Sequence, residues 1–384
     1  MTRNHWIWTS PTWPALTLNE AALAPGLRDA RESLGRLLGK AEAVGASEII
    51  FVERDVWSSE AVATAAIEGE TLQLDSVRSS VARRLGIAAD FGAAIPRNVE
   101  GLLDVMEIAS AERASDLTEE RLGRWHAALF PAEGTALRRI ATGSYRTHEE
   151  PMQIVSGPAG RETVHYEAPP SAAVRAEMRS FLDWFNRTRN ETLDGILRTG
   201  LAHVWFESIH PYEDGNGRIG RAIVDMALAQ DARAPTRLHG ISSELRRRQA
   251  AYYEALNRAQ RGSGEVTEWL AWFTETFTAA CRASARLVDE ALVRARFWAD
   301  HREAALNERQ RKVVNRMLEA GPGRFEGGLT QRKYVRMTGT SPATAARDIT
   351  ALVKGGLLKP GVGAGRSAHY NLAIEGWEWK RPAA

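Results

Sequence analysis

Near its middle, the chain reads His210-Pro211-Tyr212-Glu213-Asp214-Gly215-Asn216-Gly217-Arg218-Ile219-Gly220-Arg221. Apolar residues recur on one helical stripe through residues 196–209, and Pro211 cannot continue that helix, so we expect His210 at a helix end. Helical spacing resumes over residues 217–230. The stretch Gly215 to Gly217 is therefore predicted to form the turn that opens a second helix.

This turn carries groups that bind phosphates. Glycines let backbone N–H groups converge on an anion, and the free N–H groups of a helix N-terminus add to the attraction. Arg218 and Arg221 share one helix face and can each hold phosphate oxygens. Asp214 is placed to bind Mg²⁺, and His210, whose ordinary pKa is close to neutrality, is the natural general base. The alternative is a polar turn whose charges are only solvated.

The whole string resembles the signature of the Fic family, His-x-Phe-x-Asp/Glu-Gly-Asn-Gly-Arg-x-x-Arg, with Tyr212 in place of the phenylalanine. The resemblance implies a protein adenylyltransferase, which transfers AMP from ATP to a Ser, Thr or Tyr hydroxyl of a protein and releases pyrophosphate. It implies that the acceptor is deprotonated by His210, that Mg²⁺ is bound by Asp214, and that the phosphates are held by Gly215, Asn216, Gly217, Arg218 and Arg221. The motif alone does not fix AMP over another nucleotide fragment.

A second motif lies upstream and reads Thr64-Ala65-Ala66-Ile67-Glu68-Gly69. It resembles the inhibitory pattern Ser/Thr-x-x-x-Glu-Gly/Asn of the Fic class that has an N-terminal inhibitory helix. This resemblance implies that Glu68 pairs with Arg221 and blocks a productive pose of ATP. Taken alone, the string would be a helix C-terminus that Gly69 ends. In some relatives the glutamate helps to orient a water that removes AMP, so the direction of the reaction stays open.

Residues 143–169 break the helical rhythm. Met152 to Val155 and Thr163 to Tyr166 are predicted as the strands of a β-hairpin around Gly157-Pro158-Ala159-Gly160. The resemblance makes this hairpin the flap that receives a target segment by strand addition. The alternative is a surface hairpin with no role.

Residues 241–260 are predicted as one helix, with Leu245, Tyr252 and Leu256 as core positions. The resemblance places Tyr253 and Gln260 near the adenine of the nucleotide.

The C-terminal part is basic and has its own organisation. Residues 301–384 hold 15 Lys/Arg against 7 Asp/Glu, a net charge of +8, whereas the whole chain carries +2. Helices are predicted at Leu306 to Leu318, Thr330 to Met337 and Ala343 to Lys354, with Ser341 as the N-cap of the third. Alternation around glycines over residues 357–372 predicts a two-stranded wing. This combination resembles a winged helix-turn-helix domain.

A winged helix implies DNA binding. The third helix, with Thr344, Arg347 and Asp348 exposed, would enter a major groove, while Lys359 and Arg366 on the wing approach phosphates. The alternative is a protein-binding or dimerisation module, and the sequence leaves open whether the chain forms a homodimer.

The sequence thus predicts a mainly α-helical protein in four parts. These are an N-terminal helical domain that carries the inhibitory helix (residues 1–95), a Fic core that is a helical bundle with the flap (96–285), a linker helix (286–305) and a winged helix (306–384). The lone Cys281 excludes an internal disulfide, the start has no signal-like apolar run, and no stretch approaches membrane-spanning length. We therefore expect a cytoplasmic location and no membrane partner.

The expected partners are ATP, with Mg²⁺ as cofactor, and a protein target that carries a hydroxyl side chain; the chain itself is one candidate. Two other hypotheses for the function stay open beside AMP transfer. One is an enzyme that removes AMP, and the other is a DNA-binding transcriptional regulator whose Fic core only senses a nucleotide.

Overall fold

The computed structural model describes residues 5–87, 97–130, 141–158, 161–233, 238–361 and 368–379. In these ranges the chain is mainly helical, as predicted. The α-helices are α1 (Glu20–Val44), α2 (Ala46–Ile67), α3 (Leu74–Arg84), α4 (Arg97–Ala111), α5 (Glu119–Leu129), α6 (Ser171–Arg187), α7 (Gly195–Ile209), α8 (Asn216–Ala232), α9 (Ile241–Arg247), α10 (Gln249–Gln260), α11 (Thr267–Asp300), α12 (Glu308–Ala320), α13 (Gln331–Thr338) and α14 (Pro342–Lys354). The strands are β1 (Gln153–Ser156), β2 (Thr163–Glu167), β3 (Leu358–Pro360) and β4 (Tyr370–Leu372), and 3₁₀ turns cover Ile7–Thr9 and Thr188–Asn190.

The chain divides into two units. The first consists of Met1–Ala43 and Ile49–Ala285, and the second of Val44–Glu48 and Arg286–Ala384. None of the helices in the described ranges is both long enough and apolar enough to cross a membrane.

Helix α7 is the centre of the first unit. The sequence predicts one apolar stripe for it, but every residue from Ile196 to Ile209 is buried, including the polar Arg198, His203 and Glu207. A helix that is buried on all sides is surrounded by other elements. The one-stripe prediction is wrong here because helices α6, α8 and α10 all contact α7.

Helix α2 brings its C-terminal half to the same core. Trp57, Ala61 and Ala65 belong to one buried cluster with Ile209 of α7 and Ile223 of α8. The helix is also fixed by a polar contact: the buried carboxylate of Glu60 accepts hydrogen bonds from the backbone N–H groups of Ser242 (2.6 Å) and Ser243 (2.8 Å) at the start of α9. Both contacts hold the end of α2 in the first unit.

Strands β1 and β2 form an antiparallel hairpin, with Gln153 opposite Glu167 and Ser156 opposite Thr163. Tyr166 anchors it, because its buried hydroxyl donates to the carbonyl of Ser208 in α7 (2.5 Å). The predicted turn extends to Ala159 and Gly160, which lie outside the described residues.

The prediction of one helix over residues 241–260 is wrong, because Arg248 interrupts it with φ −106° and ψ 27°. Leu245, Tyr252 and Leu256 are buried, as predicted.

The second unit contains three helices followed by an antiparallel pair of strands, in which Leu358 faces Leu372 and Pro360 faces Tyr370. Sequence signals set the helix starts: Asn307 and Gln310 form a capping box for α12, and Ser341 caps α14. These elements enclose their own apolar core, which includes Val313, Tyr334, Ile349 and Leu372.

One expectation for α14 is wrong. Asp348 is only 8% exposed, because its carboxylate accepts hydrogen bonds from Tyr334 (2.9 Å), Arg309 (3.1 Å) and Asn307 (3.2 Å). It therefore fixes α14 to its neighbours, whereas Arg347 is exposed as expected. Arg366 lies outside the described residues.

Candidate active site

His210 sits in an unusual backbone conformation at the end of α7. Its φ of 50° and ψ of 61° are left-handed, and its N–H donates to the carbonyl of Phe206 (3.0 Å). Arg146 fixes this turn: its Nε donates to the carbonyl of His210 (2.8 Å), and its backbone N–H to that of Pro211 (2.9 Å). Arg146 was not predicted from the sequence, since a residue 64 positions away gives no local signal of its contact.

Tyr212 and Asn216 shape the loop that follows. The Asn216 amide accepts from the backbone N–H of Tyr212 (2.8 Å) and donates to its carbonyl (2.8 Å). The Tyr212 ring is fully buried and stacks on His126 at a centroid distance of 4.1 Å. The side-chain amide of Asn216 therefore fixes the shape of this loop.

The loop requires glycine at positions 215 and 217 for two different physical reasons. Gly215 has φ 81°, and a Cβ there would lie 2.8 Å from the ring of Phe130. At Gly217, in the first turn of α8, a Cβ would lie 2.3 Å from Oε1 of Glu68. The carboxylate of Glu68 therefore lies at the N-terminus of α8, where free N–H groups attract anions.

Arg221 is buried and held by the segment that ends α2. Its Nη2 contacts Oε1 of Glu68 (2.7 Å) and the carbonyl of Thr64 (3.1 Å), and its Nε donates to the Thr64 hydroxyl. Burial acts to raise the pKa of Glu68, but the charge of Arg221 and its hydrogen bond outweigh burial and lower that pKa. Glu68 is therefore ionised at neutral pH.

Arg218 has a carboxylate partner that was not predicted from the sequence. Its Nη1 lies 2.8 Å from Oε1 of Glu70, its Nη2 is 3.6 Å from Oδ1 of Asp214, and its guanidinium lies over the ring of Phe130. Gly69 separates Glu68 from Glu70 and has φ 82°, so the chain turns between two carboxylates that bind the two arginines. The signal in the sequence was the acidic residue directly after the inhibitory motif.

Asp214 is the acidic residue of the loop that solvent reaches best. Half of its side chain is exposed (51%), and Oδ1 accepts from the backbone N–H of Gly215 (2.5 Å). Within the described ranges, no group of three or more His, Cys, Asp or Glu side chains could hold a metal ion. Asp214 suits a Mg²⁺ ion that takes one carboxylate from the protein and its other ligands from phosphates and water.

The two residues expected near the adenine contact different parts of the site. Tyr253 is 42% exposed, and its hydroxyl donates to the carbonyl of Ile67 (3.2 Å), directly before Glu68. Gln260 is buried, and its Nε2 donates to the carbonyl of Glu207 (3.1 Å). Helix α10 thus contacts both the C-terminal end of α2 and the helix that leads to His210.

The helical fold is similar to that of a Fic family protein from Desulfovibrio desulfuricans G20, with a TM-score of 0.53, 20% identity, and coverage of 91% of this chain and 96% of that one. A Fic domain-containing signalling protein from Bacteroides thetaiotaomicron gives a TM-score of 0.50, with 15% identity over 67% of this chain and 98% of that one. Residues 116–228 match the family model for Fic/DOC, so the chain contains a Fic/DOC family domain. Residues 6–87 match a domain of unknown function, DUF4172.

Curated relatives with related sequences are named protein adenylyltransferases. A probable protein adenylyltransferase from Aquifex aeolicus is 32% identical over 106 residues, which cover 27% of this chain and 30% of the relative. The protein adenylyltransferase Fic of Nematostella vectensis is 23% identical over 198 residues, or 51% of this chain and 42% of the relative. The chain thus spans less than half the length of either relative.

Proposed function

We propose that the protein is a Fic-type protein adenylyltransferase and that its own residues 64–70 keep it inactive. The observation that carries this proposal is the contact between Glu68 and Arg221 at the N-terminus of α8, in the same site as His210. A carboxylate there occupies the place that the helix N-terminus and the arginine offer to a phosphate. The names of the curated relatives support the same activity.

In the proposed reaction, His210 takes the proton of an acceptor hydroxyl of a protein. The hydroxyl oxygen then bonds to the α-phosphorus of ATP, the bond from that phosphorus to the bridging oxygen breaks, and pyrophosphate leaves. Burial, with a smaller effect from the charge of Arg146, lowers the pKa of His210 to about 4, so the ring is neutral and able to accept a proton at pH 7.

The N–H groups at the start of α8, together with Arg218 and Arg221, hold the phosphates once the two glutamates release the arginines. Asp214 would bind Mg²⁺, which supplies positive charge to the phosphates as negative charge shifts to the leaving group. Tyr253 and Gln260 are proposed to lie on the adenine side of the nucleotide.

The hairpin is proposed to receive the target protein. Val155 of β1 is 47% exposed, which is high for a valine, and β1 pairs on one edge only within the described residues. An extended target segment could therefore add to its free edge through backbone hydrogen bonds. This mode positions a hydroxyl without selecting much target sequence.

The test is transfer of label from ATP. The Glu68→Gly variant is incubated with Mg²⁺ and ATP labelled in the α-phosphate, and protein label is measured after denaturing electrophoresis. We expect label on the protein, none from γ-labelled ATP, and none when His210→Asn is added. Absence of α-label on the chain and on added cell proteins would contradict the proposal. Release of AMP from a labelled protein would instead indicate the reverse reaction.

For the second unit we propose a second activity: its three helices and two strands form a winged helix that binds DNA. Arg332 and Arg336 on α13 and Arg347 on α14 are exposed, while the acidic Asp348 is buried and paired. The exposed residues therefore offer positive charge to the phosphates of double-stranded DNA. Binding of labelled duplex DNA should weaken steeply with salt and be lost when all three arginines become alanine. The matched control is a triple variant of Arg28, Arg36 and Arg179, which are also exposed.

A further inference from the structure

Glu207 is a buried acid that none of the roles above uses. It lies in the last turn of α7, three residues before His210, with its side chain 7% exposed. Among the described residues, its Oε1 has no hydrogen-bond partner, and its Oε2 lies 3.8 Å from Nδ1 of His210. A buried polar group without a partner destabilises a fold, and such groups concentrate at functional sites.

Helix α8 leaves room for this carboxyl group. A Cβ at Gly220 would lie 2.4 Å from Oε1 of Glu207, so any side chain at position 220 would displace the carboxyl. The residues on either side, Ile219 and Arg221, have large side chains. The space beside His210 is thus provided by one glycine.

The main-chain carbonyl of Glu207 also lies near the ring of His210. It acts to raise the pKa of His210 against the larger effect of burial. The same carbonyl accepts from Nε2 of Gln260 (3.1 Å). Because Nδ1 faces Glu207, Nε2 is the nitrogen left for an acceptor hydroxyl.

From this geometry we infer that Glu207 is a positioning residue for His210: it holds the Nδ1 side of the ring and, when ionised, stabilises the positive charge that the ring gains. The inference rests on the proposed function. The proton moves from the acceptor oxygen to Nε2 of His210, and Glu207 does not receive it. In Ser-His-Asp hydrolases, an acid on the Nδ1 side of the catalytic histidine holds the ring and stabilises its positive charge.

Several charged or titratable groups surround this pair. They are Glu68 after α2, Arg146 before β1, Arg221 on α8 and Tyr252 on α10. Burial raises the pKa of Glu207 to about 8, the charge of Arg221 opposes this, and that of Glu68 adds to it. The carboxylate therefore forms as pH rises through about 8, and its effect on His210 should appear in that range.

The test uses Glu207→Gln, which keeps the shape of the protonated acid but cannot ionise. In the Glu68→Gly chain we expect a fall in kcat of about tenfold or more, with KM for ATP within about twofold. We also expect loss of the rise in kcat through pH 8. The matched control is Glu254→Gln, an exposed glutamate on α10. A kcat within twofold and an unchanged pH profile would overturn the inference.

A second readout separates this inference from the proposed function. The ring of His210 is titrated by NMR in the Glu68→Gly chain, with His210→Asn used to assign its signal. The ring signal should shift with a midpoint near pH 8 as Glu207 ionises, and Glu207→Gln should remove this shift, whether or not transfer is detected. Removal of the shift without detectable transfer would overturn the proposed function alone, whereas a ring signal that responds in the same way near pH 8 in both chains would overturn the role of Glu207.

Discussion

Glu70 forms an ion pair with Arg218, with 2.8 Å between Oε1 and Nη1, and Glu68 forms a similar pair with Arg221 at 2.7 Å. Both arginines of the loop are therefore bound by carboxylates that lie two residues apart in the chain. Glu70 is 38% exposed, whereas Glu68 is 25% exposed, so solvent screens the Glu70–Arg218 pair more than the Glu68–Arg221 pair.

Replacement of Glu70 by Gln should release Arg218 and strengthen ATP binding. Because Glu70 is 38% exposed and solvent screens the pair, we expect a gain of about 1 kcal/mol or less, which is at most about fivefold in Kd. ATP is titrated calorimetrically into the His210→Asn chain with and without Glu70→Gln. Glu42→Gln, on the exposed face of α1, is the control. Equal Kd values in all three proteins would show that Glu70 takes no part in inhibition.

Under the proposed inhibition, Thr64→Val should raise the rate of AMP transfer less than Glu68→Gly does. The change removes the hydroxyl that accepts from Nε of Arg221 but keeps the ion pair with Glu68. Initial rates of α-label transfer should then rank Glu68→Gly above Thr64→Val and Thr64→Val above the unmodified chain. A Thr64→Val rate equal to that of the unmodified chain would remove Thr64 from the inhibitory contact.

Glu60→Ala should destabilise the protein and loosen α2. The substitution leaves the N–H groups of Ser242 and Ser243 without their acceptor, at a cost of about 1–3 kcal/mol in the free energy of unfolding. Urea unfolding followed by circular dichroism measures this loss. We also expect faster AMP transfer, since α2 ends at the inhibitory segment. A stability within 0.5 kcal/mol, on the order expected for a surface change, would contradict the anchoring role.

Tyr212→Phe should be neutral or stabilising. The hydroxyl of Tyr212 is buried and has no hydrogen-bond partner among the described residues. Its removal should leave transfer unchanged and raise the free energy of unfolding by up to about 1–2 kcal/mol. Loss of stability would mean that the hydroxyl has a partner.

Transfer by a chain that combines Glu68→Gly with Glu207→Gln, in which residue 207 cannot ionise, should keep its rate between pH 7 and pH 5.5. A general base works in its unprotonated form, so activity is lost as pH falls through its pKa, and burial lowers the pKa of His210 to about 4. A histidine with the ordinary pKa of about 6.5 would lose most of its activity over this range. Such a loss in kcat, with folding verified by circular dichroism, would show that the pKa of His210 is not lowered.

The sequence predicts this site because its signals are local. Proline and glycine set the ends of α7 and α8, and the loop between them carries its chemistry within twelve residues. Arg146 was not predicted, because its role depends on a contact between elements that are distant in the sequence. Glu207 was not predicted, because its role depends on how deeply α7 is buried. Asp348 was placed on the wrong face for a related reason: helical spacing does not show that Arg309 and Tyr334 reach it from other helices.

The left-handed backbone of His210 restricts which amino acids this position can accept. Most side chains are strained at φ 50°, whereas Asn, Asp and His adopt such angles more readily. An alanine there would remove the imidazole and also disturb the turn that Arg146 holds, so a loss of activity would have two causes. Asparagine keeps the turn and removes only the base. The conformation thus decides which inactive protein is the right one for trapping a nucleotide or a target, and it narrows the substitutions open to evolution at this point in the chain.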